Sequence, residues 1–267
     1  SLSYAAFFGG EDKPVSQADV TYSFYEVFGS LYGASFRKVP LLPDFRLDIK
    51  GMVALGGESC GCVFANPNAP TSIAEEREDL LELVRAFEGK AVIADEAYAD
   101  FSHVGTLAGD IRDYPNLLVV KTFSKSRSLA GARCGYAVGD KALIDVLRTV
   151  KNCFNSYPVN AVTAAVAEAA LRDTAYFRDC VSRILRTRDS LIAALRALRF
   201  DVPDSDANFV FAEHPDVGGE ELQRALRARG IVVRRFDRPR IADRLRITVG
   251  TDEDIEALTG ALKSILG

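Results

Sequence analysis

The stretch Lys121-Thr-Phe-Ser-Lys125-Ser-Arg-Ser-Leu-Ala-Gly-Ala-Arg133-Cys-Gly135 decides how this chain is read. It holds a lysine, flanking hydroxyls at Thr122 and Ser124, and an arginine within the twelve residues from Thr122 to Arg133. It follows the apolar segment Asn116-Leu-Leu-Val-Val120, which reads as a strand. Upstream, a second apolar segment ends in an acid, Ala91-Val-Ile-Ala-Asp95-Glu-Ala-Tyr98. Asp95 and Lys125 thus lie at strand ends, where open α/β sheets hold their ligands.

Working outward, short apolar strands alternate with helices. Tyr22 to Tyr32 reads as a helix, Ser35 to Val39 and Cys60 to Ala65 as strands, and Ala74 to Phe87 as an amphipathic helix. Ala91 to Asp95, Asn116 to Thr122 and Cys134 to Val138 read as further strands, and Lys141 to Lys151 as a helix. This alternation predicts an α/β fold with a mostly parallel sheet covered on both faces by helices. From Asn160 the pattern changes. Helices at Ala161 to Leu171 and Tyr176 to Leu198 precede a strand at Asn208 to Ala212 and a helix at Glu220 to Arg229. Strands at Ile231 to Arg234 and Leu245 to Val249 and a helix from Asp252 complete the chain. Residues 1–159 therefore read as a large domain and 160–267 as a smaller α+β C-terminal domain. Ser1 to Phe8 reads as the second half of a helix with no N-cap before it, so the chain is expected to be N-terminally incomplete.

Composition removes several classes of function. The 267 residues are 48% hydrophobic, enough for a large core, and the net charge of −4 gives no electrostatic case for nucleic acid. No apolar run approaches the ~18 residues of a membrane span. Five scattered cysteines favour reduced thiols and a cytoplasmic setting. With His103 and His214 the only histidines, neither a histidine-rich metal site nor a Ser-His-Asp triad is supported, and no metal is expected.

A strand-end lysine with a strand-end aspartate suits pyridoxal phosphate. The lysine amine condenses with the cofactor aldehyde and the carboxylate pairs with the protonated ring nitrogen. Thr122, Ser124 and Arg133 are suited to its phosphate, the arginine by a bidentate fork. The segment is no nucleotide P-loop, because no Gly-rich stretch precedes the lysine. An exposed loop lysine, an N-cap aspartate and a packed tyrosine are the ordinary readings of Lys125, Asp95 and Tyr98 taken singly.

Five landmarks in order carry a family resemblance over essentially the whole chain. They are Thr21-Tyr-Ser-Phe-Tyr25, Asn66-Pro-Asn-Ala-Pro-Thr71, Asp95-Glu-Ala-Tyr98, Ser124-Lys125 through Arg133, and Leu245-Arg-Ile-Thr-Val-Gly250. The chain resembles the fold-type I, class I/II pyridoxal-phosphate-dependent aminotransferases, and within them the histidinol-phosphate aminotransferases. The resemblance implies that Lys125 is the Schiff-base lysine, Asp95 the ring-nitrogen partner and Tyr98 a donor to the cofactor's phenolate oxygen. It also implies that Tyr22 stacks on the ring, with Tyr25 as a competing core residue. Relatives carry an asparagine directly before Pro-Thr-Gly; here that position is Ala69, so either Asn68 reaches in or Tyr98 acts alone. Arg246 and Arg234 match substrate-binding arginines, and Tyr157 is a candidate pocket residue. The implied partners are glutamate/2-oxoglutarate, a phosphorylated amino alcohol and a second copy of the chain in a homodimer. Threonine-phosphate decarboxylase and aromatic or branched-chain aminotransferase activities stay open, as does a cofactor-sensing domain of a transcription regulator.

Overall fold

In the computed structural model, which describes residues 2–267, a six-stranded sheet runs in the order β2-β1-β3-β4-β5-β6. Its strands are β1 (Val15–Ala18), β2 (Phe36–Val39), β3 (Gly61–Ala65), β4 (Val92–Asp95), β5 (Leu117–Thr122) and β6 (Gly135–Gly139). The first five are parallel, and β6 pairs antiparallel with β5, bringing Gly135 opposite Thr122. Side-chain alternation along β3, β4 and β5 feeds two cores. Cys62, Phe64, Val92, Ala94, Leu117 and Val119 meet the helices α3 (Ile49–Ala54) and α4 (Arg77–Ala86). Val63, Ile93 and Leu118 meet α1 (Leu2–Phe7), α2 (Phe24–Tyr32) and α5 (Lys141–Phe154) on the other face. Strands buried on both faces explain why these segments read as continuous apolar runs.

In the remainder, α6 (Ala161–Arg172) meets α7 (Thr174–Ala197) and, through Ala170 and Thr163, the segment holding Arg127 and Ala132. Helices α7, α8 (Gly219–Arg227) and α9 (Asp252–Leu266) pack on a second sheet. That sheet has the order β7-β9-β8, with β7 (Phe209–Ala212), β8 (Arg234–Arg235) and β9 (Leu245–Thr248) antiparallel. Val210, Ala212, Leu245 and Ile247 face a core shared with α7, α8 and α9. Phe211 faces the other way, onto Phe45 of the first unit, with ring centroids 5.8 Å apart. Helix starts are fixed locally: Asp140, Asn160 and Asp173 cap α5, α6 and α7, and Thr251 with Asp254 forms a capping box on α9.

Three expectations change. The strand expected over Ile231 to Arg234 shrinks to Arg234–Arg235. The Ile231 N–H is taken by Leu226 O at the end of α8 and the Val233 carbonyl by Gln223 Nε2, so neither is free to pair. The helix expected from Tyr22 begins at Phe24. Strand β1 and helix α3 were not expected at all. β1 reads Val-Ser-Gln-Ala, and its buried Ser16 is matched by a hydrogen bond to Ser59 (2.7 Å), which hydropathy does not register.

Candidate active site

The carboxyl ends of β3, β4 and β5 open on a cavity of about 400 Å³. Tyr22, Asp95, Tyr98, Thr122, Ser124, Lys125 and Arg133 line it. They come from six separate places: the turn after β1, the end of β4, the turn following it, the end of β5, the loop after β5, and the turn into β6. Because β6 is antiparallel, its first residue lies at this same end, which brings Arg133 beside Thr122. Gly135 permits that approach, since a Cβ there would sit 2.8 Å from Lys121 O. A larger hollow of about 640 Å³ lies at the opposite ends of β4 and β5, beside Arg85, Lys90 and Asp113. It has no strand-end acid and lysine, so its size carries no chemistry.

Asp95 closes β4 half-buried. Its Oδ2 accepts from the Tyr25 hydroxyl (2.7 Å) and its Oδ1 from the Ala97 N–H (3.1 Å). Burial raises its pKa above the ordinary carboxyl value, against the pull of those two donors. Lys125 Nζ lies 5.1 Å from the centroid of the Tyr98 ring. Thr122 Oγ1 is 2.9 Å from Ser124 Oγ and accepts from the Ser124 N–H at 3.1 Å. Arg133 adopts a left-handed backbone (φ 51°, ψ 38°) and donates one N–H to Ala130 O at 2.9 Å. A guanidinium has four further donors, so an anion in the cavity can be held. Tyr22 stacks edge-on against Tyr25 (5.5 Å, 85°), and burial followed by the charge of Asp95 raises its pKa.

The loop carrying Lys125 is tied from behind. Lys121 Nζ meets Asp100 (3.1 Å) and Glu96 (3.6 Å), while the Ser126 hydroxyl donates to the other Asp100 oxygen. Burial lowers the Lys121 pKa, but the two carboxylates outweigh it and the net direction is upward. Asp100, Tyr25 and Phe209 were not singled out as functional in the sequence. Asp100 had one available signal, an acid five residues beyond Asp95 on the same strand-end turn.

The other expected site residues divide. Asn68, an expected cofactor contact, is not among the residues lining the cavity. Its Nδ2 donates to Val20 O (2.9 Å) and Thr71 Oγ1 (3.0 Å), and its Oδ1 accepts from Thr21 Oγ1 (2.8 Å). Ala69 takes the wall position instead. Tyr157 stands 91% exposed, away from the cavity lining. Arg246 lies on the face of β9 opposite Leu245 and Ile247, with its guanidinium 5.2 Å from the centre of the Phe209 ring. Phe209 in turn meets Tyr98 edge-on at 5.0 Å, so Arg246 is one aromatic layer from the cavity wall. Arg234 is exposed and opposite Arg246 in register.

The donor set fits pyridoxal phosphate. One amine, one carboxylate, two hydroxyls and a guanidinium converge, and Ala65, Ala69 and Ala97 leave room for a flat ring. This fold, with such a set at the carboxyl ends of its strands, suits an enzyme that uses pyridoxal phosphate on amino compounds. The family described as aminotransferase class I and II matches residues 2–262, and the chain belongs to it. It is 48% identical over 253 residues to histidinol-phosphate aminotransferase 1 of Bordetella parapertussis, covering 95% of this chain and 71% of that one. It is 46% identical over 257 residues to histidinol-phosphate aminotransferase 2 of Dechloromonas aromatica, covering 96% and 71%. The crystal structure of the histidinol-phosphate aminotransferase from Clostridium acetobutylicum superposes with a TM-score of 0.92 at 22% identity, over 99% of this chain and 80% of that one, and shows the same fold.

Proposed function

We propose that the protein is a pyridoxal-phosphate-dependent histidinol-phosphate aminotransferase, exchanging an amino group between histidinol phosphate and 2-oxoglutarate, with glutamate as the counterpart. The observation that carries the chemistry is the meeting of Lys125, Asp95 and Arg133 in one strand-end cavity. The substrate follows from the relatives that share nearly half of their residues with this chain over two thirds of their length.

When bound, the cofactor supplies an electron sink and a carrier for the amino group. Lys125 would hold the cofactor through its Nζ and would be the base that moves a proton at the substrate's amine-bearing carbon. Asp95 keeps its negative charge against the ring nitrogen. Thr122, Ser124 and Arg133 would hold the phosphate, and the Tyr98 hydroxyl would be the donor for the ring oxygen. Tyr22 covers the ring face. Arg246, with Arg234 opposite, receives the anionic end of the substrate, carboxylate or phosphate. A guanidinium fork accepts either, which lets one pocket serve two unlike partners. We assign residues 1–159 to a large cofactor-binding domain and 160–267 to a small C-terminal domain, working as a cytoplasmic homodimer. Among the described residues, no helix is long and apolar enough to cross a membrane.

A half-reaction screen tests this reading. The visible band of the bound cofactor is followed while glutamate, histidinol phosphate, an aromatic amino acid or threonine phosphate is added. Bleaching by glutamate and histidinol phosphate is expected. Carbon dioxide release from threonine phosphate would replace it with a decarboxylase, and sedimentation as a fully active monomer would remove the dimer.

A further inference from the structure

The acid at the floor of the cavity is held by a residue that never reaches the cavity. Asp95 has two oxygens and two donors. The Ala97 N–H belongs to the turn that Asp95 itself begins, so it follows automatically from the end of β4. The Tyr25 hydroxyl comes from α2, seventy residues away in sequence, and its 2.7 Å bond is the shorter of the two. Among the described residues, no basic side chain forms an ion pair with Asp95.

Tyr25 is itself firmly placed. It is 4% exposed and lies on α2 over the core formed with Val63, Ile93 and Leu118. Tyr4 of α1 stacks behind it at 6.1 Å with planes 28° apart. Tyr22, which lines the cavity, meets it edge-to-face. Tyr25 therefore touches both groups that would meet a flat ring here, the acid at its edge and the aromatic on its face.

We infer that Tyr25 is a positioning residue for the cofactor ring, fixing the Asp95 carboxylate through its hydroxyl and Tyr22 through its ring. The inference rests on the pyridoxal phosphate reading of the site. The physical reason is that a hydroxyl donating to a carboxylate favours the ionised form, whereas burial opposes it. A phenylalanine would keep the packing and lose the donor, leaving one Asp95 oxygen without its partner in a part-buried place. Among the described residues, the charged and titratable groups acting on Asp95 include Tyr4 from α1, Tyr22 just before α2, Tyr25 on α2, and Lys125 from the loop after β5.

The test is a double-mutant cycle on pyridoxal phosphate binding, read by absorbance with no substrate present. Wild type, Tyr25→Phe, Asp95→Asn and the double variant are compared for dissociation constant and for the pH at which the bound cofactor's visible band changes. Tyr25→Phe is expected to weaken binding roughly tenfold or more, the size of a hydrogen bond to a charged group. It is also expected to move the pH midpoint. In the Asp95→Asn background the same change is expected to do neither. An equal loss in both backgrounds, or wild-type binding by Tyr25→Phe, would overturn the assignment and leave the cofactor reading intact. A wild type that takes up no cofactor would overturn both. Melting of the apo variants separates the outcomes further, because a purely structural Tyr25 lowers stability equally whichever residue stands at 95.

Discussion

Arg234 and Arg246 are register partners across β8 and β9, and both guanidinium groups lie against the Phe236 ring, 5.5 and 5.8 Å from its centre. Two cations on one aromatic ring have the geometry of an anion trap, since each repels the other until an anion sits between them. Arg246 also lies over Phe209, and its buried Nε has no hydrogen-bond partner among the described residues. Replacing Arg246 by lysine keeps the charge and loses the fork. The expected cost is about 2–5 kcal/mol in kcat/KM for glutamate. Cofactor spectrum and melting temperature are expected to stay near wild type. An early-melting variant with normal turnover would make Arg246 a structural cation.

Lys125 is expected to be the lysine that carries the cofactor. The neighbouring Lys121 is held as a cation by Asp100 and Glu96, which removes it as a nucleophile. Lys125 reaches the cavity with an aromatic ring beside it, and among the described residues no carboxylate pairs with it. Borohydride treatment of the loaded protein, followed by peptide mass spectrometry, should find the cofactor on Lys125. Finding it on Lys121 or Lys151 would displace the assignment. Lys125→Ala should abolish turnover and still bind some cofactor without a covalent link.

Much of this site is legible in sequence because strand ends are. Apolar runs closing on Asp95 and on the Lys121 to Arg133 segment fix which end of the sheet each residue occupies, and a parallel sheet gathers those ends. Side-chain direction is another matter. Asn68 stands in the right loop, yet its amide is consumed by Val20, Thr71 and Thr21. Tyr25 reads as core packing, because a hydrogen bond across seventy residues depends on how α2 rotates against β4. Strand β1 escapes notice because two of its four residues are polar and buried.

His103 should give the protein a weak acid-side stabilisation. Its Nδ1 lies 2.8 Å from Asp206, which precedes β7, and its Nε2 lies 3.5 Å from Glu76. The bond to Asp206 and its charge raise the histidine pKa above its ordinary value. The folded form therefore binds the proton more tightly than the unfolded chain. The resulting stability is fully present below the unfolded pKa of about 6.5 and is lost as pH rises through the raised folded value. The ring is 68% exposed, so solvent screening holds the effect below about 1 kcal/mol. His103→Asn is expected to melt earlier than wild type in mildly acidic buffer and alongside it in alkaline buffer. A gap that widens with rising pH would contradict the pairing.

Asp100 is expected to link stability to catalysis through the lysine loop. One of its oxygens holds Lys121 and the other accepts from Ser126, the residue next to Lys125. Asp100→Ala leaves the mostly buried Lys121 with Glu96 alone and releases Ser126. The expected loss of stability is about 1–3 kcal/mol, the range for depriving a buried polar group of one hydrogen-bond partner. Turnover should fall as well, by up to roughly a hundredfold, because a small displacement of a reacting group is costly when geometry supplies the rate. Asp100→Asn separates the two effects. It keeps an acceptor for Ser126 while removing the charge that Lys121 needs, so it should melt early and still turn over well once folded. If both variants lost stability while keeping wild-type turnover at saturating cofactor, the clamp would serve the fold alone and Lys125 would be placed by its own loop.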